Sequence, residues 1–180
     1  MIIVENKTKF IRARLWTDEL PELKYNTIEV LKVDIETVNA ENWQQKYLGL
    51  ELSLSRNSSN YALLGVKYVP SKEKVLKVKV NVGMSNDVIL KNNIAQEIDE
   101  VHVGIPKEYA APIINYIQEN INKINIPPGT LLFNTGAHGY IGSSQTVFLL
   151  STKILINMIH KDLKSIYEDD LIKVIDESIK

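Results

Sequence analysis

Cysteine is absent from the 180 residues, which excludes disulfides, thiolate metal sites and a cysteine nucleophile together. No apolar run approaches the roughly 20 residues that a membrane helix needs. The opening MIIVENKTKF has neither the basic n-region nor the apolar core of a signal peptide. A cytoplasmic chain with no membrane contact is the expectation. Neither sign of charge is in excess, since 21 Lys and Arg stand against 22 Asp and Glu for a net −1, with a pI near 6.3. Long-range attraction to phosphate backbones is thereby excluded, and any contact with nucleic acid must come from a local patch. Glycine and proline are sparse, at 8 and 6 residues, so the places where they cluster stand out.

What is present is an ordinary globular balance, 44% apolar and 24% charged, enough for one buried core and too little chain for two full-sized domains. Residues 9–16 (KFIRARLW) alternate, with Ile11, Ala13 and Leu15 on one strand face and Arg12, Arg14 and Trp16 on the other. The run 27–38 alternates likewise through Leu31, Val33 and Ile35. Residues 39–48 read as one or two helical turns capped by Asn39, with Trp43 and Tyr47 sharing a face. Strands at 50–54 and 61–69 flank a polar connection, Arg56-Asn57-Ser58-Ser59-Asn60, of hairpin length. Residues 75–82 place Leu76, Val78 and Val80 on one face and Lys77 and Lys79 on the other, where lysines serve either as a solvated surface or as phosphate contacts.

Residues 83–96 show no regular pattern, and 98–105 read as a strand carrying His102. A helix over 107–121 has the apolar stripe Tyr109, Ile113, Ile117 and Ile121, with Pro106 at its start and Pro112 inside, where a bend or a shifted start is expected. A short strand at 130–133 leads into the glycine-rich stretch 136–144, GAHGYIGSS, and a helix over 144–161 follows. After Asp162 an amphipathic helical segment with an acidic face closes the chain and can pack on the domain or on a protein partner.

The chemistry concentrates in the glycine-rich stretch. Glycines allow close backbone approach, and the N-terminus of the next helix directs free N–H groups at a ligand, so a phosphate can sit there. The alternative is a tight turn with a serine cap and a packed Tyr140. A Ser–His pair from Ser143 or Ser144 with His138 lacks an identifiable orienting carboxylate, and neither a P-loop nor a nucleophile elbow is present. His138 and His160 have no further ligands at metal-site spacing, so no metal and no cofactor are expected.

Gly104-Ile105-Pro106-Lys107-Glu108-Tyr109 is similar to the G-x-I-P-K-E-Y helix start of the fourth domain of translation elongation factor G and the ribosomal-protection proteins. Phe133 through Phe148 resembles that domain's strand, glycine loop and V-D-S-S-E-x-A-F helix, and Asn60-Tyr61 through Pro70 and Tyr25 through Ile28 resemble two of its strands. The resemblance spans about residues 25–160, leaving an N-terminal extension, 1–24, with an extra strand, and a C-terminal helix, 161–180. It implies an α+β fold with a mainly antiparallel four-stranded sheet, two helices on one face and a left-handed β-α-β crossover.

The resemblance further implies a non-catalytic domain whose two tip loops bind RNA at the small ribosomal subunit. The corresponding residues are Arg56, Asn57, Ser58 and Asn60 in one loop and Gly136, His138, Gly139, Tyr140, Ser143 and Ser144 in the other, with Lys77 and Lys79 as auxiliary contacts. Here Gly142 stands where the family has an acidic residue, and the first loop lacks the family's glycines. A protein-interaction module is the alternative. A phosphate-using small-molecule enzyme is the third reading, since 140–144 (YIGSS) is also similar to the G-L-G-S-S loop of small-molecule kinases.

Overall fold

In the computed structural model, which describes residues 1–56 and 60–180, the chain is α+β, with eight strands in one mixed sheet and three α-helices. The strands are β1 (Ile2–Asn6), β2 (Ile11–Trp16), β3 (Glu29–Glu36), β4 (Lys46–Leu54), β5 (Tyr61–Pro70), β6 (Val75–Val82), β7 (Val101–Val103) and β8 (Gly129–Gly139). The helices are α1 (Lys107–Ile124), α2 (Gln145–Ile159) and α3 (Glu168–Ile179). The strand order is β1-β2-β4-β5-β8-β6-β3, with β7 on β8. Pairing is antiparallel throughout except for β6 with β8, and the connection between those two runs through β7 and α1.

Alternation decides which side of the sheet each residue serves. Ile11, Ala13, Leu15, Leu50, Leu52, Leu64, Leu76, Val78 and Val80 join the main core beneath the helices. There α1 packs on β3 and β6, α2 on β4 and β5, and α3 on α2 and β1. The opposite face carries a smaller cluster of Tyr61, Leu63, Ala95, Val101 and Ala137. It forms where the irregular segment between β6 and β7 folds back over the sheet, through Leu90 N–H to Val101 O at 2.8 Å and Val103 N–H to Val88 O at 2.8 Å.

Several expectations are revised. The sheet has eight strands rather than four with one extra, because residues 1–16 form a two-stranded hairpin on β4, β4 itself extends the sheet beyond β5, and β7 pairs with β8. Residues 39–45 form no helix. The Asn39 side chain accepts from Glu41 N–H at 2.7 Å and donates to Asn125 O at 2.6 Å, a local alternative to helical hydrogen bonding. Trp43 instead packs edge-on against Tyr68 at 5.5 Å. The strand at 130–133 is eleven residues long and takes in Gly136 through Gly139, and the strand at 98–105 shrinks to three residues. Helix α1 starts at Lys107 and keeps Pro112 within it.

The C-terminal helix begins only at Glu168, and its apolar residues Leu171, Val174 and Ile175 are buried on the domain. That apolar face is therefore occupied at home and is not left for a protein partner. Leu171→Ala should lower unfolding stability by about 2–5 kcal/mol, the usual loss for a fully buried leucine, as measured by denaturant titration. A change within about 0.5 kcal/mol, typical of surface positions, would mean that the helix is not docked.

Candidate functional site

Three turns meet at one end of the sheet. The β4–β5 connection and the β8–α2 loop are joined directly, because Asn60 N–H and Tyr61 N–H both donate to Gly142 O, at 2.7 and 3.0 Å. The β1–β2 turn joins them through Ser55 N–H to Phe10 O at 2.9 Å, and the Arg56 guanidinium lies 4.3 Å from the centre of the Phe10 ring, a cation–π contact. Phe10 has φ +58°, a conformation that costs energy for a bulky residue and that the neighbouring contacts must hold.

The glycine loop is already occupied by an anion from its own chain. Asp99 Oδ1 accepts from Ile141 N–H at 2.8 Å and Oδ2 from Gly142 N–H at 2.9 Å. The loop approaches so closely that a Cβ at Gly142 would lie 2.6 Å from Asp99 Oδ2, and one at Gly139 would overlap the same carboxylate. Glycine is required here by a side chain rather than by a phosphate. Ser143 Oγ accepts from Gly139 N–H at 2.8 Å and donates to Tyr61 O at 2.5 Å. Ser144 Oγ caps α2 by accepting from Val147 N–H at 3.4 Å. Neither serine is paired with His138, so the structure does not assemble a Ser–His nucleophile.

His138 sits in the interior, 4% exposed, and cannot reach a docked surface. Its Nδ1 lies 3.0 Å from Gly104 O and its Nε2 3.0 Å from Ser85 O. The ring stacks on that of its strand partner His102 at 6.1 Å. His102 in turn places Nδ1 2.8 Å from Asp87 O and Nε2 2.8 Å from Glu100 Oε1. Each ring sits between two oxygen acceptors, of which a neutral imidazole can donate to one, and both rings lie where the 84–100 segment meets the sheet. His160 is far along the chain, edge-on to Trp43, and burial holds it below its ordinary pKa. Among the described residues no group of three or more His, Cys, Asp or Glu is placed to hold a metal ion.

Of the residues expected at the site, Arg56 and Tyr140 are exposed at the tip, and Tyr140, 81% exposed, is not packed. Asn60, Gly136, His138 and Gly139 are buried, and Ser143 and Ser144 are half-buried. Asn57 and Ser58 lie outside the described residues. Lys77 is paired with Glu73 at 2.6 Å and faces Asp34 across the β3–β6 pair. Lys79 faces Lys32 on β3 and, across Leu132 on β8, Lys67 on β5. This transverse basic row is about 20 Å along β8 from the tip, at 3.3 Å per residue. Sequence reading missed Phe10, Ile141, Lys32, Lys67 and Asp99. A bare Asp near the start of a stretch that reads as a strand, 98–105, gives no local signal of its partner more than forty residues away.

The sheet face away from the helices also buries an ionisable group. Glu51 is 0% exposed, and burial raises its carboxyl above its ordinary value of 4.5, against the opposing pull of Ile94 N–H, Tyr61 OH, Arg14 and Arg12.

Two predictions follow from these contacts. Asp99→Asn keeps one acceptor and presents an NH2 to the other amide, so it should cost about 1.5–3 kcal/mol, the range for a hydrogen bond to a charged group, with faster amide exchange at Ile141 and Gly142. Unchanged exchange there would mean that Asp99 does not hold the loop. For Glu51 the folded state retains a proton that the unfolded chain releases, so stability should fall as pH rises from 4.5 through the raised value. Glu51→Gln should remove that slope in denaturant titrations at a series of pH values, and an identical slope in the variant would refute the assignment.

Compared with protein-family models, with curated proteins and with solved structures, the chain matches none.

Proposed function

We propose that this chain is a non-catalytic, elongation-factor-like docking domain whose tip engages the RNA of a small ribosomal subunit. The observation that carries the reading is the double hydrogen bond from Asn60 and Tyr61 to Gly142 O, which joins two turns more than eighty residues apart into one projecting end. Support comes also from β5, β8, β6 and β3 with α1 and α2, which are contiguous and lie within residues 25–160, and from the parallel β6–β8 pair connected through β7 and α1, while β4 and β7 in the same span add to the four expected strands. The contact residues are Arg56, as a charge restrained on Phe10, and Tyr140, as an exposed stacking ring. Lys79 and the row it shares with Lys32 and Lys67 supply further phosphate contacts. His138 and Ser143 act as internal struts.

At the described tip Arg56 and Lys7 are exposed basic side chains, Lys9 is paired with Asp176, and Glu100 flanks Tyr140 through its carbonyl bond to Tyr140 N–H at 2.9 Å, so stacking outweighs counterion release. A slope of log affinity against log salt of about −1 to −2 for the tip alone, steepening if the lysine row joins, is expected. The purified protein should cosediment with small ribosomal subunits at low salt, and Arg56→Glu with Tyr140→Ala should reduce the bound fraction by about tenfold or more. Undiminished cosedimentation would discard the tip. A protein partner is the second reading, favoured by the exposed apolar residues Ile98 and Ile141, 77% and 61% exposed, on either side of Asp99 at the same end. Retention of a protein but no ribosomal RNA after nuclease treatment would select it.

A further inference from the structure

On the sheet face away from the helices, a cavity of about 430 Å³ opens between the β1–β2 hairpin and the two segments that cross this face, 17–28 and 83–100. Its apolar walls are Ile3, Trp16, Leu23, Leu63 and Leu90, and its polar residues are Arg14, Glu51 and Asn92, with the exposed Glu22 at the 17–28 segment. Glu51 Oε1 is saturated, accepting from Tyr61 OH and from Ile94 N–H, each at 2.9 Å. Glu51 Oε2 takes no hydrogen bond, although Arg14 Nη1 lies 3.3 Å away. That same nitrogen donates to Asn92 Oδ1 at 3.0 Å. Two residues along each strand towards the tip, Arg12 Nε and Ser53 Oγ are likewise buried without a hydrogen-bond partner among the described residues.

Unsatisfied polar atoms in a protein interior are costly and few, and here three gather on one patch beside a recess. Their chemistry restricts the occupant. At Glu51 Oε2 an ammonium ion would be opposed by Arg14 in the lining and Arg12 beside it, and a free anion by the Glu51 and Glu22 carboxylates. A neutral flat ring with a hydrogen-bond donor next to an acceptor meets the carboxylate with the first and the guanidinium with the second, while its faces cover the apolar walls. Heteroaromatic lactams have that edge, and among biological molecules guanine and uracil are their common form.

We propose that this cavity binds a nucleobase, with the ring against Trp16, a ring N–H donated to Glu51 Oε2 and the adjacent carbonyl accepting from Arg14. The guanidinium is the solvent-facing member of the pair, its side chain 22% exposed against 0% for Glu51. A ligand meets Arg14 first and gains the carboxylate as the guanidinium turns to the ring carbonyl. The site does not depend on tip docking, and the base can come from a free nucleoside or from a splayed residue of RNA.

The test uses the full chain labelled with nitrogen-15, following the Ile94 amide and the Trp16 indole N–H as guanosine or uridine is added to millimolar concentration. Saturable shifts at both are expected, weakened about tenfold, or 1.4 kcal/mol, by Glu51→Gln. Leu23→Trp, which fills the recess from the 17–28 segment and leaves the polar side intact, should abolish them even if the Glu51 variant does not fold. Tyr140→Ala should leave them unchanged, which separates this site from the tip. Hexauridylate binding about tenfold tighter than uridine would identify RNA as the source, and equal affinities a free base. Absence of shifts at either signal, or equal shifts with toluene, would overturn the proposal.

Discussion

Strand β8 is the constraint on which the arrangement rests. It pairs with β5 along one edge, and along the other with β6 in its first half and β7 in its second, so its backbone groups are committed over most of its length and its register cannot slide. Leu131 and Phe133 point into the main core while Ala137 joins the smaller one, and the shift of register between Gly65 and Lys67 on β5 marks where the strand changes allegiance. Everything at the tip inherits its position from this strand. Gly139 ends it, the loop to α2 begins there, and His138 is locked beneath.

The second structural principle is that charge is taken inward and neutralised by groups distant in the chain. Asp99 supplies the loop amides with the anion that a helix-start glycine loop otherwise offers to a ligand. This explains how a stretch with the composition of a phosphate cradle can serve as a joint. The two stacked imidazoles and the Asp99 carboxylate all reach to or from the segment between β6 and β7. A run without helix or long strand is thereby fixed to the sheet at several points, and it is this segment that roofs the smaller core and borders the Glu51 cavity.

The tip and the cavity are consequently products of one arrangement. Tyr61 shows the linkage most directly, because its carbonyl accepts from Ser143 Oγ at the tip while its hydroxyl donates to Glu51 in the interior. Burial drives its phenol well above the ordinary range, so it remains a donor at any physiological pH. The exposed positions at the tip, Arg56, Tyr140 and Ile141, are left with few structural duties, which is what a docking surface needs and what the buried His138 and Ser143 do not have.

The strands at 11–16, 29–36, 61–70 and 75–82 and the helices α1 and α2 were legible in the sequence because each has a periodic apolar face whose period alone names the element. The α+β class, which the resemblance implied, is the class the chain adopts. Three misreadings share a cause. Asn39 turned towards Asn125, Gly136 through Gly139 were drawn into a strand by β5 and β7, and residues 2–6 found a partner in β2, none of which leaves a mark within a short window of residues. By itself, then, the amino-acid order determined which segments are helical or extended and which of their faces are oily. Only the tertiary structure decided that Asp99 would fill the glycine loop, that His138 would be interior and that Glu51 would lie beside an open recess, because those outcomes depend on hydrogen bonds between groups on separate elements, most of them more than thirty residues apart, whose energy exists only once the chain has closed.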